Sequence, residues 1–355
     1  MKITIVGTGN GGTTVAADLS LKGHHVTLLK TSDQLHNENF NYLRKTRQVE
    51  FEDTDRTRTA KLAQVTTDFA EAIPGAELII VYIWTNFHKA IIDRMLPYIQ
   101  DGQCFLLEPG YLSTCYFMQA TDKDITVIEA ESSPIDCRID KPGKVRALFR
   151  NVMNPFGVYP KAKREKAKQV LDALGYPYML TDSVIEAALH NPNLIVHTIG
   201  AIFSIPRIEY TNGQYWMYKE VFTPHIWNIV RSLDTEKMDV LERLGSKRLP
   251  YVEACKLRNS EDQKGNAKAA FFHYAKHSSP KGPHQPDSRY ITEDVPEGLV
   301  MLESLGQTLD IPTPTCSGLI NVASAAMEID FRKNGRTVER LGYANIQKIL
   351  QDAAS

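Results

Sequence analysis

Through its first half the chain alternates short apolar runs with amphipathic stretches. "KITIVG", "HVTLLK", "LAQVTT", "ELIIVYI", "CFLLEP", "ITVIEAE", "VRALF" and "FGVYP" have the length and β-branched content of strands. Between them, "GTTVAADLSLKG" (closed by Gly23), "NFHKAIIDRMLPYI" and "REKAKQVLDALG" carry helical spacing. Near-continuous apolar strands separated by helices predict a mostly parallel sheet covered on both faces. After residue 181 the pattern changes. "SVIEAALHNPNLIVHTIGAIF", "TPHIWNIVRSLDTEKMDVLERLG", "EGLVMLESLGQTLD" and "CSGLINVASAAMEIDFRK" place apolar residues three and four apart, which predicts helices. The expectation is an α/β N-terminal Rossmann-type domain, residues 1–181, and a mostly α-helical second domain, residues 182–355. Within the latter, "HSSPKGPHQPDSRY" (277–290) is rich in Pro, Ser and Gly and reads as a long loop.

Composition narrows the partners. At 355 residues the chain exceeds one ordinary core, and 43% hydrophobic with 23% charged residues is a globular balance. A net charge of -1 gives no basic footprint, so neither nucleic acid nor an anionic membrane is expected as a partner. No apolar run approaches the ~20 residues of a membrane helix. The N-terminus enters a strand directly, with no basic and apolar leader, so the expected location is cytoplasmic. The five cysteines form no CxxC pair, which argues against a disulfide framework or a structural zinc, and no metal is expected.

Gly7-Thr8-Gly9-Asn10-Gly11-Gly12 fits G-x-G-x-x-G, with a strand before it and a helix after it. That context predicts a dinucleotide site. Gly7 would allow the turn, Gly9 the approach of the pyrophosphate, and Gly12 close packing of helix on strand. With Asn10 and Gly11, these residues open a helix whose N–H groups and dipole favour phosphate. The ribose acid expected about 20 residues on is missing. Lys30, Thr31 and Ser32 stand there instead. A cation with two hydroxyls suits a 2′-phosphate, so NADP(H) is the expected cofactor. NAD(H) stays open, because Asp33 could supply the acid after a longer turn. Ligands in such sheets lie beyond the carboxyl ends of the strands. "VYIWTNFHK" therefore brings Trp84, Thr85 and His88 towards the nicotinamide side, and "LLEPGY" brings Glu108, Pro109 and Gly110. For His88 a solvent-facing position at a helix start is equally open.

Hydride transfer to a carbonyl or imine needs a proton donor or acceptor near neutrality, commonly His. Ten histidines are present, so composition selects none. Two segments narrow the choice. "EAALHNPNLIVHTIGAIF" sets His197 in an otherwise apolar helix, and "DSRYITEDVPEGLV" sets Arg289 and Asp294 before a helix start. Taken alone, His197 could be a core histidine, Asp294 a cap and Arg289 a surface ion-pair partner.

Together with "GTGNGG", "EPGY" and "EAESSPIDCRI", the segments "HNPNLIVH", "YWMYKEVFTPHIWNIVRSLDTEKMDVLERLG" and "RYITEDVPEGL" resemble the opine dehydrogenase family, which includes octopine and nopaline dehydrogenases. The resemblance implies NAD(P)H-dependent reductive condensation of an α-keto acid such as pyruvate with the amino group of an amino acid. It implies His197 as the catalytic histidine, Asp294 as its carboxylate partner and Arg289 as the ligand of a substrate carboxylate. A domain cleft that closes to exclude water from a hydrolysable imine would follow. "YTNGQYWMYKE" adds Tyr215 as a candidate substrate contact, with domain packing as the alternative. The rivals are a ketopantoate reductase-like or glycerol-phosphate dehydrogenase-like enzyme, whose catalysis typically rests on a Lys, and a non-catalytic NADP(H)-binding sensor. Monomer and homodimer are both open.

Overall fold

The computed structural model describes residues 1–54 and 56–355. The chain divides into two compact units, one of residues 1–184 with Ser355 and one of residues 185–354. The first holds twelve strands among the described residues: β1 Lys2–Val6, β2 His25–Leu29, β3 Gln48–Glu52, β4 Thr57–Lys61, β5 Gln64–Thr66, β6 Leu78–Val81, β7 Cys104–Leu107, β8 Thr126–Ala130, β9 Ile135–Lys141, β10 Lys144–Arg150, β11 Asn154–Tyr159 and β12 Tyr178–Leu180. Eight form one sheet in the order β12-β11-β8-β7-β6-β1-β2-β5. Its core from β5 to β8 is parallel, with Ile3, Thr4, Ile5 and Val6 of β1 opposite Leu78, Ile79, Ile80 and Val81 of β6. β6 and β7 are buried along their whole length, which is why "LIIV" and "CFLL" are unbroken apolar runs.

Two expected strands take other roles. "FGVYP" forms β11, which runs antiparallel to β8, and "VRALF" lies in β10, outside the main sheet. β10 belongs to a second sheet of order β4-β3-β10-β9. The helix Asn10–Leu21 shares a core with both sheets: Val15, Ala16, Ala17 and Leu19 pack with Ile3, Val26 and Leu28 and with Val49, Phe51, Ala60, Cys137 and Val145. β3, β4 and β9 escape a hydrophobicity reading because they are half-exposed and largely polar, and β12 because it is only three residues long. In β3 only Val49 and Phe51 are buried, and in β4 only Ala60. All five cysteines are buried, and none forms a disulfide.

The second unit is helical. The expected long helix over 183–203 is broken in two, Val184–Leu189 and Asn193–Ile202, because Pro192 lacks an N–H and cannot continue the first. Pro224–Arg243, Arg289–Thr292 and Pro314–Met327 pack around Asn193–Ile202, whose nine residues from Leu194 to Ile202 are all buried. No regular element spans residues 278–288, between the helices Ala267–His277 and Arg289–Thr292. Among the described residues no helix is long and apolar enough to cross a membrane.

Candidate functional site

The glycine loop joins β1 to the helix Asn10–Leu21. Gly7 has φ of +120°, and its N–H donates to the Leu29 carbonyl at 2.8 Å. A Cβ on Gly7 would fall 2.3 Å from the Tyr82 carbonyl oxygen, and one on Gly12 would fall 2.0 Å from the Gly7 carbonyl oxygen. Both distances lie inside van der Waals contact, so both positions demand glycine. A Cβ on Gly11 would press on the Tyr82 ring at 2.8 Å. Gly9 differs, because a Cβ there would meet only the His36 ring, at 3.4 Å. The helix begins with no side-chain cap and no acid in its first turn. Its N-terminal end therefore suits the phosphates of a dinucleotide. The Asn10 side chain faces another way: its Oδ1 accepts the Ile139 N–H at 2.8 Å and ties the loop to β9.

Lys30 follows β2 and is 4% exposed. Its Nζ donates to the Leu35 carbonyl at 2.7 Å and lies 5.5 Å from the Phe40 ring centre. Burial pushes the ammonium below its usual value, with Asp33 opposing. Thr31 is half-buried and Ser32 exposed. The Thr31 carbonyl accepts from Arg94 at 2.7 Å, which brings to this turn a second cation that the sequence reading did not single out. Trp84 is exposed and stacks near Phe87, whereas Thr85 is buried. His88 does not face solvent. It is buried, with Nδ1 2.8 Å from Ser113 Oγ and Nε2 3.3 Å from the Ile83 carbonyl oxygen. Glu108, just past β7, is buried. Loss of solvent holds its carboxyl well above the usual range, partly opposed by a hydrogen bond with Tyr82.

In the helical unit, two residues 97 positions apart meet. His197 Nδ1 lies 2.8 Å from Asp294 Oδ2, and the two side chains are 6% and 2% exposed. His197 projects from Asn193–Ile202, while Asp294 sits between Arg289–Thr292 and a π-helical turn, Val295–Leu299. Tyr290 stacks face to face on the imidazole, with ring centres 3.6 Å apart and planes within 5°. The sequence reading does not single out Tyr290, although it directly follows Arg289 in "RYITED", four residues before Asp294. Arg289 keeps a side chain 41% exposed, and its guanidinium reaches the buried Glu293 at 3.3 Å. A carboxylate on one ring nitrogen fixes the tautomer and stabilises the imidazolium, so the other nitrogen can exchange a proton.

Tyr215 is a correction. It is fully buried, its hydroxyl lies 2.9 Å from Ser204 Oγ, and its carbonyl accepts the Gly282 N–H at 3.1 Å. A Cβ on Gly282 would fall 2.4 Å from the Tyr215 ring. The residue therefore anchors the 278–288 segment by packing, the alternative open in the sequence, and presents no surface to a substrate.

Residues 180–327 match the family model for the α-helical domain of NAD/NADP octopine/nopaline dehydrogenase. Residues 2–107 match that for the N-terminus of NAD-dependent glycerol-3-phosphate dehydrogenase. The opine dehydrogenase of Arthrobacter sp. (strain 1C) is 26% identical over 352 residues, covering 96% of this chain and 95% of that one. Protein ocs of Agrobacterium tumefaciens (strain Ach5) is 23% identical, covering 96% and 95%. A solved octopine dehydrogenase with NADH and L-arginine superposes with a TM-score of 0.79 at 18% identity, covering 99% of this chain and 98% of that one. A yersinopine dehydrogenase with NADP+ gives 0.73 at 14%, covering 100% and 99%. A ketopantoate reductase of Ralstonia eutropha shares the fold at 0.64 and 16% identity, with full coverage of both chains. The His197–Asp294 pair thus lies within the segment that matches the octopine/nopaline dehydrogenase model, in a chain that is similar to opine dehydrogenases along nearly its whole length.

Proposed function

We propose that the protein condenses an α-keto acid of the pyruvate type with the amino group of an amino acid and reduces the imine to an N-(1-carboxyalkyl) amino acid, and that it also runs the reverse oxidation. Solved octopine dehydrogenases are described with NADH and L-arginine and with NADH and pyruvate, which supports this substrate class. The single observation that carries the assignment to residues is the buried His197–Asp294 pair at 2.8 Å.

The chemistry divides among the chain's own groups. Asp294 accepts from the Nδ1–H of His197, so Nε2 becomes the nitrogen that moves protons. The Tyr290 ring holds the plane of the imidazole. As the amine adds to the keto carbon, His197 protonates the oxygen that leaves as water. In the reverse direction it accepts a proton from the attacking water. Arg289 offers a partly exposed fork of donors to a substrate carboxylate. The Gly7–Gly12 loop and the uncapped helix start would hold the dinucleotide, which when bound supplies or accepts the hydride.

The cofactor reading is NADP(H) in preference to NAD(H). Lys30, Thr31 and Ser32 stand where an acid would repel a 2′-phosphate, and Arg94 adds a cation at the Thr31 carbonyl. A phosphate there would compete with the Leu35 carbonyl for the Lys30 ammonium. The deciding assay is oxidation of NADPH and NADH with pyruvate and other α-keto acids crossed against a panel of amino acids. Turnover that requires both the keto acid and the amine is expected. Its absence under every pairing, or a His197→Ala variant with normal turnover, would overturn the assignment.

A further inference from the structure

Asp294 is bonded to His197, but its own position must also be set. The residue opens onto an irregular turn. The Val300 N–H donates to the Val295 carbonyl five residues back, so Val295–Leu299 is a π-helical turn leading into Val300–Thr308. Pro296 contributes no N–H to it, which removes one bond of a regular helix at that point. Such widened turns are uncommon and occur frequently at functional sites.

A distant segment grips this turn from two sides. Arg336 lies past the end of the segment that matches the octopine/nopaline model. Its backbone N–H donates to the Pro296 carbonyl at 2.8 Å, and its Nε lies 2.6 Å from Glu297 Oε2. The Arg336 and Glu297 side chains are 1% and 7% exposed, so the pair is sealed inside the helical unit. Gly335 brings the backbone close enough that a Cβ there would fall 2.5 Å from Val300 Cγ1. A buried ion pair is no strong source of stability, because desolvation offsets attraction, but separating the partners would leave uncompensated buried charge, which favours holding the two groups together.

We infer that Arg336 and Glu297 are positioning residues for the catalytic carboxylate: the pair fixes the π-turn, the turn aims Asp294, and Asp294 orients His197. The inference deepens the proposed function and rests on it for the word catalytic. The clamp itself can be tested without turnover.

The test uses the full-length protein labelled with 15N at histidine. The Nδ1–H signal of His197 is identified by its loss in H197A and its change in D294N. It is then followed in R336K, which keeps the charge but not the fork, and in the double variant E297L/R336L. The double variant leaves no unpaired buried charge, and so keeps the question open to measurement should R336K fail to fold. Loss or exchange broadening of the signal is expected, with kcat at least tenfold lower and the dissociation constant for NADPH, measured by fluorescence, within twofold of wild type. An intact signal with wild-type kcat would overturn the inference. So would an intact signal in a variant that is merely less stable, since that is the mark of a structural pair alone. If the wild-type protein turned over no keto acid and amine, the proposed function would fall, while the signal would still decide whether the clamp exists.

Discussion

Replacing Asp294 by Asn keeps the size of the side chain and removes its charge. The carboxylate oxygen sits 2.8 Å from His197 Nδ1, and both side chains are almost fully buried, so solvent screens the pair weakly. With charge centres about 4 Å apart and an effective dielectric near 20, the attraction between carboxylate and imidazolium is about 4 kcal/mol. That corresponds to roughly a thousandfold in the imidazolium population on which proton delivery depends. Asn has a second effect. Its amide can donate to Nδ1 and so stabilise the tautomer with the proton on the wrong nitrogen. Loss of an orienting carboxylate of this kind costs on the order of 10⁴ in kcat elsewhere. A fall of 10³ to 10⁴ in kcat is therefore expected for D294N, measured by steady-state loss of NADPH absorbance with saturating keto acid and amine. Nucleotide affinity should be unchanged, because Asp294 lies in the helical unit and the glycine loop in the other. The double variant H197A/D294N should be no slower than H197A alone, since the two residues act as one device. A folded D294N with kcat within tenfold of wild type, or additive losses in the double variant, would refute the reasoning.

Three other expectations follow from separate features. Lys30→Asp exchanges a cation for an acid at the turn after β2 and should shift the NADPH-to-NADH ratio of kcat/KM towards NADH by roughly 10- to 100-fold, the range set by one charge-assisted hydrogen bond; an unchanged ratio would remove Lys30 from cofactor choice. Gly12→Ala places a methyl 2.0 Å from the Gly7 carbonyl oxygen, so the loop must open. Nucleotide affinity should fall at least tenfold by fluorescence titration, and wild-type affinity would show that the loop does not hold the phosphates. Glu108→Gln tests the buried carboxyl, whose proton is retained on folding because burial raises its affinity. Above the unfolded value of about 4.3 the folded state binds more protons than the unfolded one, so stability falls as pH rises. The gain in Tm of Glu108→Gln over wild type should thus grow from pH 5 to pH 8, and a constant difference would contradict a raised carboxyl.

Periodicity and motif carried the architecture because each central element is strongly patterned. β6 and β7 are apolar on both faces, β1 is buried on both from Ile3 to Val6, and glycine is demanded at Gly7 and Gly12 by contacts with the chain's own carbonyls. The four-stranded sheet was not legible, since β3 and β4 bury one face only and expose polar residues on the other. Nor was the fate of Tyr215, because an aromatic in a Gly-containing turn looks the same whether it meets a substrate or a loop. Lys30 shows the same limit: its charge and place were readable, but not its turn inward to Leu35.

The sequence by itself determined the two-part organisation and the glycine-rich loop, because local propensity and motif spacing act over a few residues, while its resemblance to opine dehydrogenases singled out His197, Asp294 and Arg289. Only the tertiary structure decided what those groups do to one another. His197 and Asp294 stand 97 residues apart, Tyr290 covers the imidazole, and Arg336 reaches back to Glu297 across the end of the helical unit. Such contacts depend on packing between elements distant along the chain, where no period in the sequence records which residues meet.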